Sequence, residues 1–196
     1  MLEMILDTSS PNLYISFVDG EKEIYTKIVK TINNHSEIFL DNIKMGLDEC
    51  GLKVEDFSRI IVGIGPGSYT GLRVSLTVAK MFSWTKNIPL YTVNSLYILG
   101  SGYYSQDGKY AIMNVAKKNH YYYQLLEIDN GKLIETLPTG FNSFEEVEKI
   151  LENNPEHQVI KYEDFKYSGV NISKLDSLKL IDDIHPLVPN YLRKEI

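Results

Sequence analysis

Over residues 1 to 30 the apolar positions recur with the short period of β-strands. "MILDTS" is an apolar run ending in polar residues, "NLYISFVDG" alternates as far as an Asp-Gly turn at Asp19 and Gly20, and "EIYTKIVK" resumes the alternation. Because successive strand side chains point to opposite faces, this pattern predicts an antiparallel meander of three strands. The period then changes. In "NNHSEIFLDNIKMGLDECG", Phe39, Ile43, Leu47 and Cys50 recur every three to four residues, Asn34 and Glu37 stand where a capping box needs them, and Gly51 closes the run. That spacing predicts an amphipathic helix over 35–50. "RIIVGIG" is an unbroken apolar run, the pattern of a strand buried on both faces, and it leads into the glycine-rich "GIGPGSYTGLR" of residues 63–73. Residues 70–86 have helical length and apolar side chains on nearly every side, with Ser75, Thr77, Ala79 and Ser83 interspersed, so this helix should be covered on more than one side. "PLYTVN" predicts a strand and "SLYILGSGYY" a short helix.

These elements make a first lobe of residues 1–101. A second, 102–196, begins near Gly102, where "SQDG" marks a turn. There "YAIMNVA" and "YYYQLLEID" predict a hairpin, "KLIETL" a third strand, "SFEEVEKILENN" a helix capped by Ser143 with Glu145 and Glu146 in its first turn, and "QVIKY" another strand. Residues 163–190 carry no clear period and predict no element. The second lobe thus repeats the order of the first, a meander followed by alternating helix and strand, which is an α/β class.

Charge and cysteine content narrow the chemistry. A net charge of −6 argues against this chain gripping a nucleic-acid backbone unaided, since phosphate contact needs clustered Lys and Arg. The single cysteine, Cys50, excludes an internal disulfide and suits a reducing, cytoplasmic setting. Glu3 and Asp7 sit where a signal peptide would carry positive charge, and no apolar stretch is long enough to span a membrane. The histidines, at 35, 120, 157 and 185, are too scattered for a paired-histidine metal motif, and no metal site is expected.

The glycine loop matches neither phosphate-binding template. It has no lysine where a P-loop needs one, and Ser68 and Thr70 stand where the dinucleotide fingerprint needs a glycine or alanine. The expectation is a rigid strand-to-helix turn, with Ser68 or Thr70 capping the helix. Asp7, Thr8 and Ser9 are a weaker candidate, because a carboxylate and two hydroxyls at a strand end can hold hydrated Mg²⁺ and a phosphate; three short polar residues at a turn are also ordinary turn chemistry.

Taken together, "ILDTS", "NNHSEIFLDNI", "GIGPGSYTGLRVSLTVAK", "IPLYTVNSL" and the terminal "VPNYLR" resemble the bacterial TsaB (YeaZ) family. The motif loop of Gly65, Pro66, Gly67, Ser68, Tyr69, Thr70, Gly71 and Arg73 is the specific part of the match. The resemblance implies an actin-, Hsp70- and sugar-kinase-like fold of two RNase H-like lobes, the second shortened. It also implies a non-catalytic scaffold or activator in making threonylcarbamoyladenosine beside the anticodon of tRNAs that read codons starting with A. The implied partners are TsaD, held as a heterodimer, and the ATPase TsaE, with tRNA reached through the complex. No cofactor is expected on this chain alone, ATP and Mg²⁺ belonging to the assembled complex. Self-association of the free chain stays open. The partner surface is expected on the two long helices, through His35, Ser36, Phe39, Ile43, Leu72, Ser75, Leu76 and Ala79, the small residues permitting close packing. The chain departs from the family at Val115, Ala116 and Lys117, where Asp-Ala-Arg is usual. The alternative is an independent small kinase or ATPase of the same superfamily acting through Asp7, Thr8 and Ser9.

Overall fold

The structure, a computed structural model, describes residues 1–30, 35–117 and 119–192, together with the backbone but not the side chains of His35 and Ser36. The expected cap Asn34 lies outside these residues. The first half contains β1 (Leu2–Asp7), β2 (Asn12–Asp19), β3 (Lys22–Lys30), α1 (His35–Cys50), β4 (Arg59–Gly63), α2 (Tyr69–Lys86), β5 (Leu90–Val93) and α3 (Ser95–Leu99). β1, β2 and β3 form the predicted meander, and β4 and β5 add in parallel on the other side of β1.

Helix ends follow local chemistry. α1 stops where Gly51 takes a φ of 65° and the Leu52 N–H reaches back to the Leu47 carbonyl at 2.8 Å, a turn whose left-handed residue glycine adopts without steric cost. α2 begins at Ser68, whose Oγ accepts the Gly71 N–H at 3.2 Å.

The second half repeats the pattern with β6 (Gly108–Val115), β7 (His120–Asp129), β8 (Lys132–Ser143), α4 (Phe144–Glu152) and β9 (Gln158–Ile160). Here β6, β7 and β8 are the meander and β9 lies parallel to β6, as β4 lies parallel to β1. β8 runs past the predicted 137 and carries Pro138; as the outer strand it has one side free, where a proline costs no ladder hydrogen bond. Ser143 and Glu146 close a capping box on α4. No counterpart of α2 and β5 follows β9 among the described residues. The two-lobed, RNase H-like arrangement implied by the resemblance is therefore the one observed, with the second lobe shortened.

Strand alternation sorts the core into layers. In β1 and β4, Met4, Leu6, Ile60 and Val62 face α1 and α2 and meet Phe39, Ile43, Leu76 and Ala79. Their neighbours Ile5 and Ile61 face the second sheet and pack with Leu96, Tyr110, Ile112 and Tyr122. Val147 of α4 covers the far side of the second sheet against Ala111, Met113 and Leu125. The order across the molecule is helices, sheet, sheet, helix.

Residues 163–190, which predicted no element, contain α5 (Gly169–Ser173) and β10 (Lys179–Leu180). β10 crosses back to pair with β5, so the first sheet reads β10-β5-β4-β1-β2-β3. A five-residue helix and a two-residue strand are too short to show a period; tertiary contact defines both. No helix among the described residues is long and apolar enough to cross a membrane.

Candidate functional site

The glycine turn folds onto the end of β1 with no room between them. Ser68 N–H donates to the Ser9 carbonyl at 2.7 Å, and Ser95 N–H to the Gly65 carbonyl at 2.9 Å. A Cβ on Gly67 would stand 2.3 Å from the Ser9 carbonyl oxygen, and one on Gly71 would stand 1.9 Å from that of Thr8. Both glycines are thus required by close approach of two backbones. Gly65, at a φ of 107°, precedes a cis bond to Pro66. The loop is a strand-to-helix turn, as expected from its failure to match a phosphate template.

Asp7, Thr8 and Ser9 are brought together under this turn, and each is consumed within the chain. Asp7 is fully buried; its Oδ1 accepts the Ser9 N–H at 2.9 Å and Ser9 Oγ at 2.6 Å, and its Oδ2 accepts Ser95 Oγ at 2.7 Å. Ser95 Oγ in turn accepts the Gly65 N–H at 2.9 Å. Thr8 Oγ1 donates to the Gly71 carbonyl and accepts the Ser75 N–H at 3.3 Å. Asn114 Nδ2, from the second sheet, reaches the Ser9 carbonyl at 3.3 Å. The network ties β1, the loop, α2, α3 and β6 to one carboxyl group.

Burial raises the Asp7 carboxyl above its ordinary value of 3.8, against the opposing hydrogen bonds from Ser9 and Ser95. A raised folded-state value means the native chain holds this proton more tightly than the unfolded chain. Its contribution to stability is full below about pH 3.8 and is lost as pH rises through the higher folded value. Asp7→Asn keeps an acceptor for Ser9 and a polar partner for Ser95, so it should flatten this part of the pH dependence. Urea unfolding of both proteins from pH 4 to 8 checks this; parallel pH profiles would contradict it.

The residues expected at the partner surface are placed otherwise. Phe39 and Ile43 of α1, and Leu72, Ser75, Leu76 and Ala79 of α2, are each 3% exposed or less. They form the chain's own core, because the two helices turn these stripes onto the sheet. The small residues of α2 serve the same inward contact: Ser75 meets Thr8, and Ser83 Oγ caps the Ile88 carbonyl at 2.7 Å. The side chains of His35 and Ser36 lie outside the described residues.

What the helices leave open is the opposite stripe. Leu40 of α1 and Tyr69, Thr70, Arg73, Val74, Thr77, Val78 and Met81 of α2 line an apolar groove of about 440 Å³. Leu40 is 41% exposed and Met81 43%, and neighbouring Trp84 is 68% exposed. The signal was present in the sequence: an α2 apolar on every side still has large apolar side chains exposed, Met81 and Trp84, after the core has taken Leu72, Leu76, Val78 and Ala79.

A C-terminal strap borders this groove. Lys80 Nζ donates to the carbonyls of His185 and Leu187, both at 3.0 Å, and the Asn190 N–H donates to the Ile64 carbonyl at 2.7 Å. Tyr191 then reaches the groove mouth, where its hydroxyl accepts Arg73 Nε at 3.0 Å and its ring lies 5.0 Å from that of Tyr69. The Arg73 guanidinium stacks on the Tyr69 ring at 4.0 Å. Asn190 and Tyr191 and the motif loop, far apart in sequence, are thus one assembly.

A family model described as TsaD: tRNA N6-adenosine threonylcarbamoyltransferase matches residues 28–188. The chain is 32% identical over 138 residues to the tRNA threonylcarbamoyladenosine biosynthesis protein TsaB of Bacillus subtilis (strain 168), covering 70% of this chain and 60% of that protein. It is 24% identical to an uncharacterized protein of Mycobacterium tuberculosis (strain ATCC 25618 / H37Rv), covering 97% of this chain and 91% of that one. Among solved structures, YeaZ from Pseudomonas aeruginosa superposes with a TM-score of 0.66 at 20% identity, over 71% of this chain and 66% of that one. A protein described as uncharacterized with similarity to peptidase YEAZ from Pseudomonas aeruginosa superposes with a TM-score of 0.79 at 16% identity, over 98% of this chain and 99% of that one. The structures carry the fold alone. With residues 28–188 inside the model, the chain belongs to the TsaD-type family that this model describes, and within it is similar to a TsaB.

Proposed function

We propose that this chain is a non-catalytic accessory subunit in tRNA threonylcarbamoyladenosine biosynthesis, holding a TsaD-type partner in the α1–α2 groove and reaching TsaE and tRNA through the complex. The observation that carries the reading is the groove itself, an apolar channel of about 440 Å³ open on the outer face of two helices. A third and fourth helix can seat their ridges in such a channel, and its burial is worth about 25 cal/mol per Å² of apolar surface before the costs of association.

The superfamily's nucleotide chemistry finds no support in the residues under the glycine turn. A phosphate needs free N–H groups or a carboxylate able to face hydrated Mg²⁺. Both Asp7 oxygens are already bonded, Ser9 is 1% exposed, and the loop N–H groups of Gly65 and Ser68 are spent on Ser95 and Ser9. These residues do not fit the group, and no catalytic step is assigned to them.

Isothermal titration of the purified chain, first with the cognate TsaD-type protein and then with ATP and Mg²⁺ under the same conditions, tests the reading. Saturable binding of the protein without heat from the nucleotide is expected. Stoichiometric ATP binding by the isolated chain would overturn it in favour of a kinase or ATPase.

A further inference from the structure

We infer that Arg73 is a carboxylate-recognition element at the mouth of the α1–α2 groove, and that the partner helix seated there presents an Asp or Glu beside its apolar stripe. This rests on the groove being the partner site. Among the described residues Arg73 is the only charged side chain of the groove lining, in a chain whose net charge is −6. The other lining residues are apolar or neutral, so the groove as a whole favours an apolar ridge, and one cation at its edge sets the complementary charge.

The geometry of Arg73 is that of a held donor. Stacking on Tyr69 at 4.0 Å fixes the plane of the guanidinium, and the bond from Nε to the Tyr191 hydroxyl at 3.0 Å fixes its rotation within that plane. Among the described residues no acceptor engages its terminal nitrogens. Two parallel N–H donors on a pre-oriented plane match a carboxylate bidentately. Fixing them in advance removes part of the side-chain entropy that binding otherwise costs. Lys80, the neighbouring cation about two turns on, is spent on the His185 and Leu187 carbonyls. The strap therefore does two things at once: it occupies one cation and aims the other.

The test is the dissociation constant for the cognate TsaD-type protein at low and moderate salt, for wild type, Arg73→Gln, Arg73→Lys, Tyr191→Phe and Met81→Asp. Arg73→Gln should weaken binding about ten- to a hundredfold and flatten the salt dependence, since a charge pair is what salt screens. Arg73→Lys should recover little, because an ammonium cannot present the planar pair of donors. Tyr191→Phe should weaken binding severalfold while leaving the salt slope in place. If Met81→Asp abolishes binding while Arg73→Gln binds like wild type with the same salt slope, the assignment of Arg73 is overturned and the groove stands. If Met81→Asp binds like wild type, or wild type does not bind, the groove reading fails first.

Discussion

Leu76→Asp is expected to unfold the chain, whereas Met81→Asp, five residues along the same helix, is expected to leave it folded and stop it binding its partner. Leu76 is 3% exposed and packs with Leu6, Ile60 and Val62 beneath α2. Removing its side chain alone costs about 2–5 kcal/mol, and an uncompensated buried charge adds several more. Together these approach or exceed the ~5–15 kcal/mol that holds a typical domain together. Met81 is 43% exposed at the groove; a surface substitution there should shift stability by no more than about 0.5 kcal/mol. In an apolar interface, however, its carboxylate would be desolvated without a partner, weakening binding by about a hundredfold or more. Circular dichroism with urea titration reads the first effect, and titration with the partner reads the second. A folded Leu76→Asp protein with a selective binding defect would move the interface to the inner face of α2 and refute the layering described above.

Gly71→Ala should be the most damaging single methyl in the first lobe. The added Cβ would stand 1.9 Å from the Thr8 carbonyl oxygen and 3.1 Å from its carbon, both backbone atoms that cannot swing aside. Either α2 lifts from β1 or the end of β1 moves, and both routes break the contacts of Thr8 with Gly71 and Ser75. Overpacking of this kind costs roughly 2–4 kcal/mol. Gly20→Ala is the control: Gly20 has a φ of 61° but nothing within 4 Å of a Cβ, so only backbone strain of about 1–2 kcal/mol applies. Equal urea midpoints for Gly71→Ala and wild type would mean that the glycine turn is not pressed against β1.

Local signals made the first lobe readable. Strand alternation in residues 2–30, the glycine stop at Gly51 and the Ser68 cap each act within a few residues, so the sequence carried them unaided. The assembly of the motif loop with Asn190 and Tyr191 was not legible, since nothing local says that Asn190 will meet Ile64. The residues expected on the surface of the two helices are core residues for a related reason. Periodicity shows that Leu72, Leu76 and Ala79 share a stripe, and it shows equally that Val74, Val78 and Met81 share another. Which stripe meets the sheet depends on where β1 and β4 lie beneath the helix, a long-range fact. β10 was illegible because two residues carry no period and its pairing partner is β5, far upstream.

The return of the chain to its first sheet also sets an order of events during synthesis. β5 is complete at Val93, but its outer neighbour, Lys179–Leu180, emerges only some 86 residues later, which at ~5–20 residues per second is a wait of about 4–17 s. Tyr191 follows later still. A ribosome-bound chain that has reached β6 thus has α1, α2 and the glycine turn but neither a covered β5 edge nor the Tyr191 contact to Arg73, so the rim of the α1–α2 groove is completed well after its walls.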